Sequence, residues 1–433
     1  MLTAGSCRYR KFLDSPGAMV ATALLIRLAV LAVAERNPGS TWWVVINTLD
    51  LREVGAVARS VATGEGFNWA GPTAFVAPGF IWLLALLFKV FGVDTMAARI
   101  AGVCLNALFS SLTCWTIFRI ANRSFGRRVA VGSGWVWAFY GSAVTAVISL
   151  NDAILTTFLF SLLFLVTLGL ERQVEAHPWR WAGYGILWGA VGLLNPALLP
   201  LFPSFLAWLW WRLRRLGRRR DSGICIAALA LILVVTPWLI RNYLVFHRFV
   251  PIRSALGLQL YRGNNPWNPT GTLAVDSLLP HPDTSEDEMA KLRAVGEMAY
   301  MDGYRREAVA FIRRDKLSFA KRSFRRVVVW WAGSIHARLS PELLFFRLTP
   351  PLALLGLTLA LRRRGSHAPL FLISILVYPC LYYIVQVEAP LRYRMPVEPL
   401  IIILGVFFTA ETLGRRRSRE RRVLTTSPAA PKL

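Results

Sequence analysis

The sequence predicts an all-α polytopic membrane protein: a bundle of about ten transmembrane helices, with two external loops that carry peripheral helices. Three observations predict it. First, 55% of the 433 residues are hydrophobic and 17% are charged, with a mean hydropathy of +0.46; soluble domains carry about 25% charged residues. Second, apolar runs of about spanning length, roughly 20 residues, recur along the chain. Third, the arginines gather in short loops between those runs, the positive-inside pattern of membrane proteins. This third observation also argues against nucleic-acid binding, which the net charge of +26 would otherwise suggest. The charge is divided among topology-setting loops and forms no single basic patch.

The runs are 18–34, 98–118, 129–148, 153–170, 181–211, 222–240, 343–361, 368–387 and 396–413. The run 181–211 is too long for one span, and Asn195–Pro196 interrupts it, so it divides in two and the count becomes ten. Arg8, Arg10 and Lys11 precede the first run, and "RIANRSFGRR" (119–128), "RLRRLGRRR" (212–220), "RRR" (362–364) and "RRRSRERR" (415–422) follow later ones. With ten spans all of these basic segments fall on the cytoplasmic side of a bacterial inner membrane. Counting 75–92 as a span would put 119–128 outside. The expectation is therefore a short helix in or on the outer leaflet, in keeping with Pro78–Gly79 and Lys89. The organisation that follows is an N-terminal transmembrane module (1–240) containing a first external loop (35–97). A helical second external loop (241–341), C-terminal transmembrane helices (342–414) and a basic cytoplasmic tail (415–433) complete it. The five cysteines show neither metal spacing nor a disulfide framework.

Candidate chemistry lies at the outer mouth. Asp50 and Glu53 are three residues apart, on one face of a helix after the first span. A carboxylate there suits a general base acting on a hydroxyl, while a helix cap with its capping-box partner is the plainer reading. Asp152, in "SLNDAIL" (149–155), stands at the external end of the third and fourth spans as a site residue or a cap. Arg241 follows the span 222–240, and Asn264 lies in the turn "GNNP". The segment "APLRYRMPVEP" (389–399) falls outside, so Arg392 and Arg394 are not needed for topology. Arginine offers a planar fork that grips phosphate in a bidentate way, unless these side chains only snorkel to headgroups. Glu398, four residues after Arg394, is placed to hold it by an ion pair.

These segments resemble the GT-C superfamily of membrane glycosyltransferases. The likeness is greatest to the bacterial relatives of dolichyl-phosphate-mannose-protein mannosyltransferase and to lipid A aminoarabinose transferase. It rests on an acidic pair after the first span, a "G-x-G-F … P-T-A … P-G-F" loop, "PWLIRNYLVF" opening the second loop, "GNNP", and "RYRMPVEP" before the last span. The resemblance implies transfer of a sugar from a polyprenyl-phosphate donor to a hydroxyl acceptor on a glycan, lipid or protein, outside the membrane and with inversion. It implies Glu53 as the base with Asp50 as second choice, although "DLREVG" departs from the family's adjacent acids. Arg392 and Arg394, backed by Arg241, would hold the lipid phosphate, with Asp152, Tyr393, Glu398 and Asn264 in support. No cofactor is expected, and a divalent metal, used in some branches, is not demanded. The competing readings are a transporter or flippase of lipid-linked sugars, which needs no base, and a non-catalytic member of the same fold.

Overall fold

The computed structural model describes residues 12–36, 53–173, 177–218, 221–268, 279–333, 341–385 and 390–426; among them the regular structure is helix, with one isolated bridge between Asn68 and Pro72. Helix α1 (Pro16–Arg36) precedes two external helices, α2 (Glu53–Thr63) and α3 (Pro78–Phe91). Then come α4 (Met96–Phe125), α5 (Arg127–Ala138), α6 (Gly141–Thr145), α7 (Ala153–Arg172), α8 (Pro178–Leu194), α9 (Leu201–Arg215) and α10 (Asp221–Phe246). The second loop carries α11 (Leu256–Gly263), α12 (Glu286–Val295), α13 (Glu297–Arg314) and α14 (Lys316–Ala332). Helices α15 (Pro341–Arg362), α16 (Ala368–Val377), α17 (Cys380–Ile384), α18 (Pro390–Arg394) and α19 (Glu398–Thr426) complete the chain.

Every apolar run read from the sequence is helical. Among the described residues six helices are long and apolar enough to cross a membrane, or seven if the pair 127–138 and 141–148, bent by 52°, is one span. Length and composition alone therefore do not give ten. Helices α8 and α9 have 17 and 15 residues, and the run 368–387 is broken into α16 and α17 beside Pro379. The break at Asn195–Pro196 falls where it was read. Proline removes a helix donor, and Asn195 Oδ1 accepts from the Ala197 N–H at 3.2 Å to start a short 3-10 turn. Helix α3 has 14 residues, about 21 Å at ~1.5 Å per residue, well short of a hydrocarbon core about 30 Å thick.

Three apolar cores organise the described residues. One lies within the bundle, around Phe160, Phe164, Phe205 and Phe371. A second joins the two long loops: Val57 of α2, Phe75, Phe80 of α3, Leu258 of α11 and Tyr304 of α13 pack together. A third, with Ala74, Leu193, Val235, Trp238, Val250 and Ile252, ties both loops to α8 and α10. Arg27, mid-way along α1, is buried and donates to Ser110 Oγ at 2.7 Å and to the Ala23 and Ala138 carbonyls at 3.0 and 3.1 Å. These bonds satisfy a cation that would be costly unpaired at that depth.

Candidate functional site

The site is built where the two external loops meet. Near the end of α10, Trp238 Nε1 donates to the Ile252 carbonyl at 2.9 Å and Asn242 Nδ2 to the Val250 carbonyl at 3.1 Å. Trp238 and Asn242 are four apart and share a helix face; together they pin 250–252. Between them, Arg241 donates to the Thr73 and Phe67 carbonyls at 2.8 and 3.2 Å and stacks on Trp238. The motif "PWLIRNY" therefore clamps both loops to the bundle. Glu297 completes the clamp. Its carboxylate accepts from Thr73 Oγ1, from the Ala74 N–H at 2.9 Å and from Ser254 Oγ at 2.7 Å. Burial raises the Glu297 carboxyl above its ordinary range, against these hydrogen bonds, which lower it.

This clamp sets Arg253. Its Nε donates to the Phe75 carbonyl at 2.9 Å, and its terminal amino groups make no hydrogen bond among the described residues. The Phe75 ring packs edge-on to His281 at 5.7 Å. Next to His281 stand two carboxyls: Glu53 Oε2 lies 3.8 Å from Nε2, and Asp283 Oδ2 lies 3.9 Å from Nδ1. Ligand atoms of all three residues lie within 4.8 Å of one another. The Asp283 N–H donates to Nδ1 at 3.2 Å, which leaves the ring proton on Nε2, facing Glu53. Burial, followed by the hydrogen bond and negative charge of Asp283, pushes the Glu53 carboxyl up to about 8, while His281 and Arg253 pull the other way.

A groove of about 400 Å³ is walled by Arg253, Asn195, Ile252, Leu256, Leu381, Tyr382 and Tyr393 among others. Its lining is mainly apolar. Tyr382 feels the charges of both Arg253 and Asp152, and Asp152 Oδ1 accepts from Arg392 Nη2 at 2.8 Å. Asp152 does not cap its helix; Asn151 Oδ1 does, accepting from the Ala153 N–H at 3.0 Å. Tyr393 stacks at 4.9 Å on Tyr382.

Arg394 departs from expectation. It is fully buried, with Nε 2.7 Å and Nη2 2.6 Å from Glu398 Oε1. Nη1 donates to the Trp331 carbonyl and Nη2 to that of Phe346, both at 2.8 Å, and the guanidinium lies over the Phe346 ring. Tyr140 OH donates to the same Glu398 oxygen at 3.0 Å. All three nitrogens of Arg394 are spent inside the protein, so its observed work is to fix the turn that carries Arg392. The physical reason is depth: α14 and α15 bring carbonyls to it that a membrane surface would not. Arg241 and Asn264 are likewise engaged internally. Asn264 is buried, donating to the Leu260 and Ile384 carbonyls at 2.9 and 3.0 Å and accepting from Arg326 at 2.9 Å.

The structure thus places Glu53 within electrostatic reach of the groove residue Arg253, pairs Asp152 with Arg392, and sets Tyr393 in the groove wall. Asp50 lies outside the described residues. His281, Asp283 and Arg253 were not read from the sequence as site residues. "HPD" (281–283) was the available signal: a histidine two residues before an acid, in a loop, with a proline between them.

The sequence profile of the dolichyl-phosphate-mannose-protein mannosyltransferase family matches residues 75–240, from just before α3 into α10. No curated protein matches the chain. Among solved structures, the oligosaccharyltransferase AglB of the archaeon Archaeoglobus fulgidus, in complex with an inhibitory peptide and a dolichol-phosphate, aligns with a TM-score of 0.57 at 14% identity, over 96% of this chain and 52% of that one. The same archaeal enzyme with Zn and sulfate gives 0.56 at 14%, over 94% and 51%. ArnT from Cupriavidus metallidurans bound to undecaprenyl phosphate aligns at 14% identity over 93% of this chain and 81% of that one, with a TM-score of 0.39. The chain spans about half the length of the archaeal enzyme it matches. The likeness to the GT-C superfamily of membrane glycosyltransferases is borne out.

Proposed function

We propose that the protein moves a sugar from a polyprenyl-phosphate donor to a hydroxyl acceptor at the extracytoplasmic face of a bacterial inner membrane, by a single inverting displacement. The groove is the observation that supports this most directly. It is a mainly apolar slot with a guanidinium in its lining, and that guanidinium also acts on the carboxyl cluster. An isoprenoid tail, a phosphate and a sugar call for the same three kinds of surface. The dolichol-phosphate held by the archaeal oligosaccharyltransferase is a lipid of this kind.

In this reading the phosphate sits between the open amino groups of Arg253 and the half-exposed Arg392. The diester carries one negative charge and the departing monoester nearly two, so fixed guanidinium groups bind the product-like transition state more tightly than the ground state. Ionised Glu53 takes the proton of the acceptor hydroxyl as its oxygen attacks the anomeric carbon and the carbon–oxygen bond to phosphate breaks. Proton affinity near pH 8 makes Glu53 an effective base once ionised. Arg394 and Glu398 act as positioning residues for Arg392. The Glu53–His281–Asp283 cluster fits a divalent cation by donor type and spacing. Glu53 and Asp283 would hold it beside His281, and a cation there would supply positive charge to the leaving phosphate.

The test is to supply inverted and right-side-out membranes carrying the protein with undecaprenyl phosphate bearing a radiolabelled hexose or pentose. Label should leave the donor lipid with the wild type and stay on it with Glu53→Gln. Label that stays on the lipid but changes leaflet equally in both would replace this reading with a flippase.

A further inference from the structure

Helix α14 is amphipathic the wrong way round for a surface helix. Its inward face carries two buried arginines, Arg322 and Arg326, together with Val329 and Trp330. Arg322 donates to the Asn265 carbonyl at 2.7 Å. Arg326 donates to the Gly263, Tyr383 and Ile384 carbonyls and to Asn264 Oδ1. The opposite face carries Leu317, Phe324 and Val328, spaced seven and four apart, with Leu317 66%, Phe324 70% and Val328 38% exposed. Residues at those spacings lie on one helix stripe. A helix that buries two of its three arginines and displays an apolar stripe, broken by Lys321 and edged by the half-buried Arg325, is facing something apolar.

The height of α14 in the molecule says what that is. Arg326 is bonded to the carbonyls that end α17, within the run 368–387, and Arg394 is bonded to the Trp331 carbonyl at the end of α14. Eight residues on, α15 begins with the candidate span Leu343–Arg362. The helix is therefore fixed level with the outer ends of membrane helices, in the headgroup zone. Cations flank the apolar stripe: Arg313 and Arg314 just before the helix, then Lys316 and Lys321, all exposed, against the single acid Asp315. Apolar side chains between lysines and arginines at this depth match a leaflet that offers acyl chains below and phosphates beside them.

We propose that α14 lies in the plane of the outer leaflet, with Leu317, Phe324 and Val328 immersed and with Arg313, Arg314, Lys316 and Lys321 contacting the phosphates of anionic phospholipid. The opposite face of α14 holds the carbonyls of Tyr383 and Ile384, next to groove residues Leu381, Tyr382 and Val385, so the lipid contact also braces that wall of the groove.

The test uses the full-length protein with its five cysteines changed to alanine and Phe324→Cys carrying a bimane label, in nanodiscs of phosphatidylcholine with or without 30% phosphatidylglycerol. We expect severalfold stronger quenching by lipids with a shallow acyl nitroxide than by aqueous iodide. Phosphatidylglycerol co-purifying with unlabelled protein should also fall at least twofold in Lys316→Gln/Lys321→Gln. Dominant iodide quenching overturns the proposal. So does protection from both quenchers together with a dimer by native mass spectrometry, which would make a second copy the cover. Should the alanine background fail to fold, hydrogen exchange of 316–328 in nanodiscs decides: protection equal to that of the external α12 overturns the immersion.

Discussion

Two charged clusters stand at the outer end of the bundle, and they are built on opposite principles. Around Arg394 the charges are closed. Glu398 and the carbonyls of Trp331 and Phe346 take all three guanidinium nitrogens, Tyr140 OH donates to Glu398, and both ionic partners are buried. Around Glu53 they are open. Two carboxyls and an imidazole crowd one spot; among the described residues no arginine pairs with Glu53 or Asp283 at salt-bridge distance, and the terminal amino groups of Arg253 make no hydrogen bond. A guanidinium with every nitrogen already bonded inside the protein has no donor left for a substrate and serves to fix geometry. A carboxyl whose proton affinity is raised by burial, beside a guanidinium with donors to spare, is a functional-site candidate. Position in the chain does not distinguish them: Arg392, two residues from Arg394, is half-exposed and pairs with the rim residue Asp152. The number of donors already spent inside the protein does.

The largest effect that would break this contrast is catalytic. Glu53→Gln keeps the shape and removes the proton acceptor, and sugar transfer should fall by about 10²–10⁴-fold with the protein still folded. Near wild-type turnover, measured by donor consumption, would show that the open cluster is no more catalytic than the closed one.

Next is stability. Arg394→Met strands a buried carboxylate, which costs about 3–5 kcal/mol, whereas Arg394→Met with Glu398→Leu removes both charges and should recover most of it. Arg392→Ala breaks a half-exposed pair worth at most ~1 kcal/mol and should leave the melting temperature nearly unchanged while weakening the donor. Melting curves of the three variants decide; equal destabilisation by Arg392→Ala and Arg394→Met would erase the distinction.

A smaller effect is expected at Arg253. Lysine keeps the charge but cannot both hold the Phe75 carbonyl and present two amino groups. Loss of one hydrogen bond to a charged phosphate, ~1.5–3 kcal/mol, predicts about 10- to 100-fold weaker donor binding. Isothermal titration with undecaprenyl phosphate measures it, with Arg362→Lys in the basic loop after α15 as the unchanged control.

The same contrast explains what could be read from the sequence. Helices were legible because their signals are local: apolar runs of spanning length, Pro78 at the start of α3, Asn195–Pro196 at a break. Glu53 was legible because an acid opening an amphipathic helix is local too. The fate of Arg394 was not, because its partners Trp331 and Phe346 lie 63 and 48 residues away and are brought in by α14 and α15. Arg253 and His281 were missed for the same reason. Each is set in place by Phe75, far back in the first loop, whose carbonyl holds one and whose ring packs on the other.

The mildest perturbation is pH, and it should move activity and stability in opposite directions. The Glu53 carboxyl, held up to about 8 by burial and by Asp283, keeps its proton in the folded protein from about 4.5 upward, where the unfolded chain has lost it. Across pH 4.5 to 8 the native state therefore binds more protons than the unfolded state, so this group's contribution makes stability fall as pH rises. Glu297, also raised by burial, adds to that slope. Catalysis needs the ionised form, so transfer should rise about tenfold between pH 7 and 9. A divalent cation at the cluster would displace the Glu53 proton and shift the activity rise to lower pH, and a chelator would shift it back. The measurement is kcat/KM and melting temperature on the same samples from pH 5.5 to 9, for wild type and Glu53→Gln. The variant should lose the rise in activity and part of the fall in stability. A wild-type profile flat in activity across this range would mean that the carboxyl cluster does not carry the proton of the reaction.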